Sequence, residues 1–109
     1  MDFKRTAEAM GLEKYEFMEL VELFIETARS DLEKLTVAVD SKMIRDAGDA
    51  AHSLKGAAGN LGLSGFYEAA RKVEMEIHDG RLERIPESVE TLKVNLEEIA
   101  GDLNRNKTL

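Results

Sequence analysis

The residues best suited to chemistry surround one histidine, His52. On a helix, Gly48, His52, Lys55, Gly56 and Gly59 are three or four positions apart and share one face. A neutral imidazole nitrogen is a good nucleophile near pH 7, because the unperturbed pKa of the side chain lies close to that value. It can accept a phosphoryl group and hand it on, with metal and charge clamps supplied by another protein.

The three glycines on this face have a structural cost. Each destabilises a helix interior by roughly 1 kcal/mol relative to alanine, so this spacing favours a face that another protein's backbone approaches closely. Lys55, one turn after His52, could neutralise a phosphorylated imidazole, and Gly56 leaves the approach open. The opposite face is small and apolar, and a buried Leu54, roughly 200° around the helix, implies an exposed His52. The core residues expected there are Ala47, Ala51, Leu54, Ala58 and Leu61.

Composition excludes several classes of protein. The 109 residues, with a net charge of −7, predict one domain over residues 1–109 that does not bind nucleic acid. There is no cysteine, which excludes disulfide and thiolate chemistry. No apolar run is long enough for a membrane span, and the start lacks the apolar core of a signal peptide. We therefore expect a cytoplasmic protein.

Apolar residues recur at helical spacing along the whole chain. The pattern predicts a short first helix capped by Asp2, then four longer helices, with Ser41 and Ser64 as further N-caps. Such helices fold most simply as an all-α, antiparallel up-down-up-down four-helix bundle with a short extra N-terminal helix. We expect a monomer whose polar tail, residues 104–109, frays. The predicted helices cover about 2–10, 14–39, 42–60, 65–78 and 86–103.

Other kinds of site find little support. Only two histidines are present, and His78 is too far along the chain to pair with His52 at helical spacing, so no metal site is expected. No phosphate-binding loop, calcium loop or hydrolase triad can be assigned. A ligand- or metal-binding bundle is disfavoured because the core stripes carry no evident polar residue.

The run His52-Ser53-Leu54-Lys55-Gly56 resembles the His-x-x-Lys-Gly signature of histidine-containing phosphotransfer (HPt) domains. The resemblance extends from about residue 14 to 103. It implies that His52 takes a phosphoryl group from a receiver-domain aspartate or a sensor or hybrid histidine kinase, and passes it to a response-regulator receiver. Lys55 would neutralise charge, and Gly56 and Gly59 would admit the partner. Such a carrier has no independent turnover and no cofactor, Mg²⁺ being held by the partner receiver.

The position 22 residues after the histidine differs from many phosphorelay members. These have a glutamine there that bonds the ring, whereas this chain has Glu74, similar to the HPt domains of chemotaxis kinases. A carboxylate would accept the Nδ1 hydrogen and leave Nε2 as the nucleophile. The alternative is an ordinary surface carboxylate, paired with Arg71 or His78.

The partner surface is expected to be shallow and partly apolar, with a basic rim. An alternative function is a non-phosphorylated helical docking or scaffold module, a pseudo-HPt domain that binds a receiver or kinase. The joint presence of His52, Lys55 and Gly56 argues against it, because a docking-only domain needs no nucleophile. The residues expected around His52 in docking are Arg45, Gly48, Asp49, Ser53, Tyr67 and Arg71.

Overall fold

The computed structural model describes residues 1–107, and no strand occurs among them. Helices α2 to α5 pack side by side as a bundle in which each helix contacts two of the others, and the short α1 lies against α2. This confirms the predicted four-helix bundle with an extra N-terminal helix. A short 3-10 turn, Leu82–Arg84, precedes the last helix. The helices are α1 Phe3–Ala9, α2 Lys14–Asp40, α3 Ile44–Asn60, α4 Ser64–His78 and α5 Ile85–Lys107.

Apolar faces of all five helices meet in a single cluster of buried residues. Two aromatic pairs connect its parts. Phe3 of α1 packs on Phe17 of α2 with ring centroids 5.8 Å apart. Phe24 of α2 meets Phe66 of α4 edge-on, with centroids 5.2 Å apart. The first pair is tilted and the second is edge-to-face, and aromatic contacts of these kinds stabilise a core beyond the burial of apolar area. They fix α1 and α4 against the long helix.

The predicted cap at Asp2 is confirmed, because its carboxylate accepts the backbone N–H of Arg5 at 3.0 Å. The two serine caps are wrong. Ser41 is instead the C-cap residue of α2, and its N–H donates to the carbonyl of Val37. Ser64 is the first residue of α4, one position inside the helix, so its side chain is past the capping position. The N-cap residues of α3 and α4 are Met43 and Leu63.

The sequence predicts a frayed tail from residue 104. For residues 104–107 this prediction is wrong, because they are helical. Helix α5 continues to Lys107 because polar contacts hold its last turns. The Asn106 side chain donates to the carbonyl of Asp102 at 2.9 Å, and Lys107 forms an ion pair with Glu22 of α2 at 2.9 Å. The Asp102 carboxylate also accepts a hydrogen bond from the N-terminal ammonium of Met1, at 3.2 Å. Residues 108–109 lie outside the described part of the chain.

One pair of polar side chains does lie in the core, contrary to the sequence analysis. Glu76 of α4 is 6% exposed, and Ser88 of α5 is also buried. The Ser88 hydroxyl donates to Glu76 Oε1 at 2.6 Å, while Glu76 Oε2 is buried and has no hydrogen-bond partner among residues 1–107. Buried carboxylates are rare, and each needs polar partners to offset the loss of water.

Candidate functional site

Helix α3 has the two faces that the sequence predicted. Its buried face is made of Ala47, Ala50, Ala51, Leu54 and Ala58. Leu61, expected on the same face, follows the helix and is only partly buried. The His52 side chain, on the other face, is 71% exposed. A buried apolar face therefore holds α3 in the bundle and leaves the imidazole open to a partner.

A carboxylate on the neighbouring helix connects His52 to Lys55. Glu74 of α4 places Oε2 at 2.7 Å from His52 Nδ1 and Oε1 at 2.8 Å from Lys55 Nζ. Lys55 and Glu74 are 22% and 26% exposed, respectively. This geometry agrees with the predicted contact between Glu74 and the ring. It differs from the alternative in which Glu74 pairs with Arg71, because Arg71 instead lies 3.6 Å from Glu68.

The charge state of Glu74 determines which ring nitrogen carries hydrogen. Partial burial raises the pKa of this carboxyl, but the hydrogen bonds from Lys55 and His52 lower it more, so the pKa lies below its ordinary value. An ionised carboxylate only accepts hydrogen bonds, so the hydrogen shared with Glu74 belongs to His52 Nδ1. In the neutral ring, Nε2 then keeps its lone pair, on the other side of the imidazole.

The glycines on this face have different surroundings. A Cβ added to Gly56 would meet no atom of the described residues within 4 Å, whereas one added to Gly59 would lie 3.3 Å from the Tyr67 ring. At Gly48 the nearest atom would belong to Ile77, 3.8 Å away. Gly59 thus has a packing reason within the chain itself. At Gly56 the space is open, as the approach of a partner would require.

The remaining residues expected at the docking surface lie around this centre. Arg45 and Asp49 are exposed on α3, and Tyr67 is half-buried on α4 against Gly59. The Ser53 hydroxyl donates to Asp31 Oδ2 of α2 at 3.0 Å. Asp31 was not singled out from the sequence, because a lone aspartate on a charged helix face has no distinguishing spacing.

Within residues 1–107, no group of three or more His, Cys, Asp or Glu side chains is arranged to hold a metal ion. None of the helices in this range combines the length and apolar character needed to cross a membrane.

Comparisons with known proteins identify the family and the fold. The family model described as "Hpt domain" matches residues 19–102. Among solved structures, the chain is similar to histidine-containing phosphotransfer protein B (HptB) from Pseudomonas aeruginosa PAO1. That match has a TM-score of 0.85 and 19% sequence identity, and covers 99% of this chain and 94% of the other. A search of curated proteins gives no significant match.

Proposed function

Since this chain belongs to the Hpt domain family, whose members carry phosphoryl groups on histidine in phosphorelays, we propose that His52 is its phosphorylated residue. The observation that carries the assignment is the contact between Glu74 and Nδ1 of an imidazole that is 71% exposed. This contact leaves Nε2 as the free nucleophile on an open face.

The transfer step follows from this arrangement. His52 Nε2 attacks the phosphorus of an aspartyl phosphate on a receiver domain, and an N–P bond forms as the P–O bond to the aspartate breaks. The receiver carboxylate leaves with the electron pair, and no proton has to move. The ring keeps its Nδ1 hydrogen and becomes cationic, so the Glu74 carboxylate stabilises the product through a charge-assisted hydrogen bond. The reverse step delivers the group to a second receiver.

Lys55 has two roles in this proposal. Its ammonium donates to Glu74 Oε1 and keeps the carboxylate ionised. An ammonium has three donors, so the others remain available to a phosphoryl oxygen on His52. Gly56 provides the clearance that lets the partner's backbone approach. Gly59 serves the same approach, because without a Cβ at this position the helix surface next to Tyr67 does not protrude.

The rest of the assignment concerns the context of the chain. The partners are response-regulator receiver domains and a sensor or hybrid histidine kinase. The chain itself needs no cofactor, and Mg²⁺ belongs to the receiver's aspartate site. In this proposal residues 1–109 form one domain that acts in the cytoplasm as a monomer, without turnover of its own.

The test is a transfer assay with wild-type and His52→Gln proteins. Receiver domains charged with acetyl phosphate and Mg²⁺ serve as donors. Acid-labile, base-stable label on the wild type alone supports the proposal. Binding of receivers without any label on the chain would favour a docking or scaffold module instead, and label on the His52→Gln protein would place the phosphoryl group elsewhere.

A further inference from the structure

We propose that a groove between α2 and α3 binds a basic, partly apolar segment of the receiver domain and so selects which receiver reacts with His52. The receiver as partner rests on the proposed function, whereas the groove itself is a feature of the described residues. We call it the α2–α3 groove. It has a volume of about 800 Å³, and its lining includes Asp31, Glu33, Val37, Met43, Asp46 and Asp49.

The position of the groove makes it part of any contact centred on His52. Its lining ends at Ser53, the residue that follows His52 in the chain. The Ser53 hydroxyl donates a hydrogen bond to Asp31. From Ser53 the lining follows α3 back to Met43, a length of about 15 Å at the helical rise. A specific interface covers about 800 Å² on each partner, or about 30 Å across. A receiver seated over His52 therefore extends onto the α2–α3 groove.

The charge of the groove determines which partner fits. Four carboxylates line it, those of Asp31, Glu33, Asp46 and Asp49, and Lys34 is the one cation in the lining. An excess of one sign steers oppositely charged partners and repels those of like charge. The receiver's own phosphorylation site is acidic and has to face His52. A basic segment beside that site would bind the groove and set the orientation of the receiver.

Apolar side chains between the carboxylates make the groove more than a charged surface. Val37 is 57% exposed and Met43 is 50% exposed, and both line the groove. Methionine is flexible and polarisable, so it packs against apolar side chains of different shapes. The complementary segment therefore combines a lysine or arginine with an apolar side chain. A receiver that has an acidic or wholly polar segment at this place would bind poorly.

The experiment compares two charge-reversal pairs. The groove pair combines Glu33→Lys with Asp46→Lys. The control pair combines Glu90→Lys with Glu98→Lys on α5, a helix that has no contact with α3, and it changes the net charge of the protein by the same amount. Amide shifts of the labelled chain are recorded against a panel of purified receiver domains with Mg²⁺, and thermal melts confirm that both variants fold. Transfer kinetics to His52 are measured with the same receivers over a salt series.

We expect wild-type shifts along residues 30–38 and 43–53. The groove pair should weaken binding at least about tenfold at low salt, and the α5 pair by less than about twofold. In single-turnover transfer, the groove pair should raise the half-saturating receiver concentration and leave the maximal transfer rate unchanged. Shifts confined to the Gly56 side, equal effects of the two pairs, or no binding by any receiver would overturn the proposal. If receivers bind the groove but no phosphoryl label appears on His52, the proposed function is refuted and the groove proposal stands. If His52 is labelled but the groove pair changes neither binding nor transfer, the groove proposal is refuted and the proposed function stands.

Discussion

Glu74 Oε2 lies 2.7 Å from His52 Nδ1, and this hydrogen bond connects two helices through residues that are 22 positions apart in the chain. The contact does more than orient the ring. It pairs a carboxylate with the nitrogen that shares positive charge once Nε2 is phosphorylated, so its strength should rise during the reaction. Only interactions that strengthen on the way to the transition state accelerate a chemical step.

The first prediction concerns the charge of Glu74. In Glu74→Gln the amide oxygen can still accept the Nδ1 hydrogen, but without charge assistance, a difference of about 1 kcal/mol. We expect transfer to His52 to slow about fivefold to tenfold, and to slow further in Glu74→Ala. The measurement is single-turnover transfer from a charged receiver. Wild-type rates in Glu74→Gln would show that the charge is not needed.

The second prediction concerns Lys55 and pH. Because the hydrogen bond from Lys55 lowers the pKa of Glu74, Lys55→Met should raise that pKa, as an NMR titration of the Glu74 carboxyl would show. The folded pKa of Glu74 is depressed, so its contribution to stability is complete above the ordinary value of 4.5 and is lost as the pH falls through the folded pKa. In Lys55→Met this contribution should be smaller, and its loss should be complete at a higher pH than in the wild type. Lys72→Met, an exposed change on α4, is the control and should leave the titration unaltered.

The third prediction separates the two glycines. Gly56→Ala should stabilise the protein by up to about 1 kcal/mol, because the added Cβ enters open space. Gly59→Ala should gain less, since its Cβ would press on the Tyr67 ring at 3.3 Å. Gly56→Arg should fold and yet block transfer. Thermal melts test the stability of the variants, and the transfer assay tests Gly56→Arg. Normal transfer by a folded Gly56→Arg would contradict close approach at this position.

The fourth prediction concerns the buried pair Glu76 and Ser88. Ser88→Ala removes the hydroxyl that bonds Glu76 Oε1, so unfolding free energy should fall by about 1–3 kcal/mol. Replacing both partners, with Glu76→Met and Ser88→Ala, should recover most of the loss, because no buried polar group is left unpaired. Urea denaturation measures both, with exposed Thr91→Ala as the control. Equal losses in the single and double variants would mean that the hydrogen bond is not the cause.

The sequence was sufficient for features that depend on repeated spacing. The alternation of small apolar residues with His52 and its glycines predicted both faces of α3, and the contact with Glu74 followed from the family resemblance. Features that depend on a single contact between distant helices were missed. Glu76 is polar at a core position, and only its partner Ser88 on α5 explains it. The last turn of α5 depends in the same way on Lys107 meeting Glu22, 85 residues earlier in the chain.

The division of the site between two helices has a consequence for the folded state. His52 is carried by α3, while the group that fixes its tautomer is carried by α4. A shift of α4 along α3 by one turn would move Glu74 by about 5.4 Å, beyond hydrogen-bonding range of the ring. Chemical competence of the imidazole is therefore coupled to correct helix register. A misassembled chain would present the same histidine without the carboxylate that selects its reactive nitrogen.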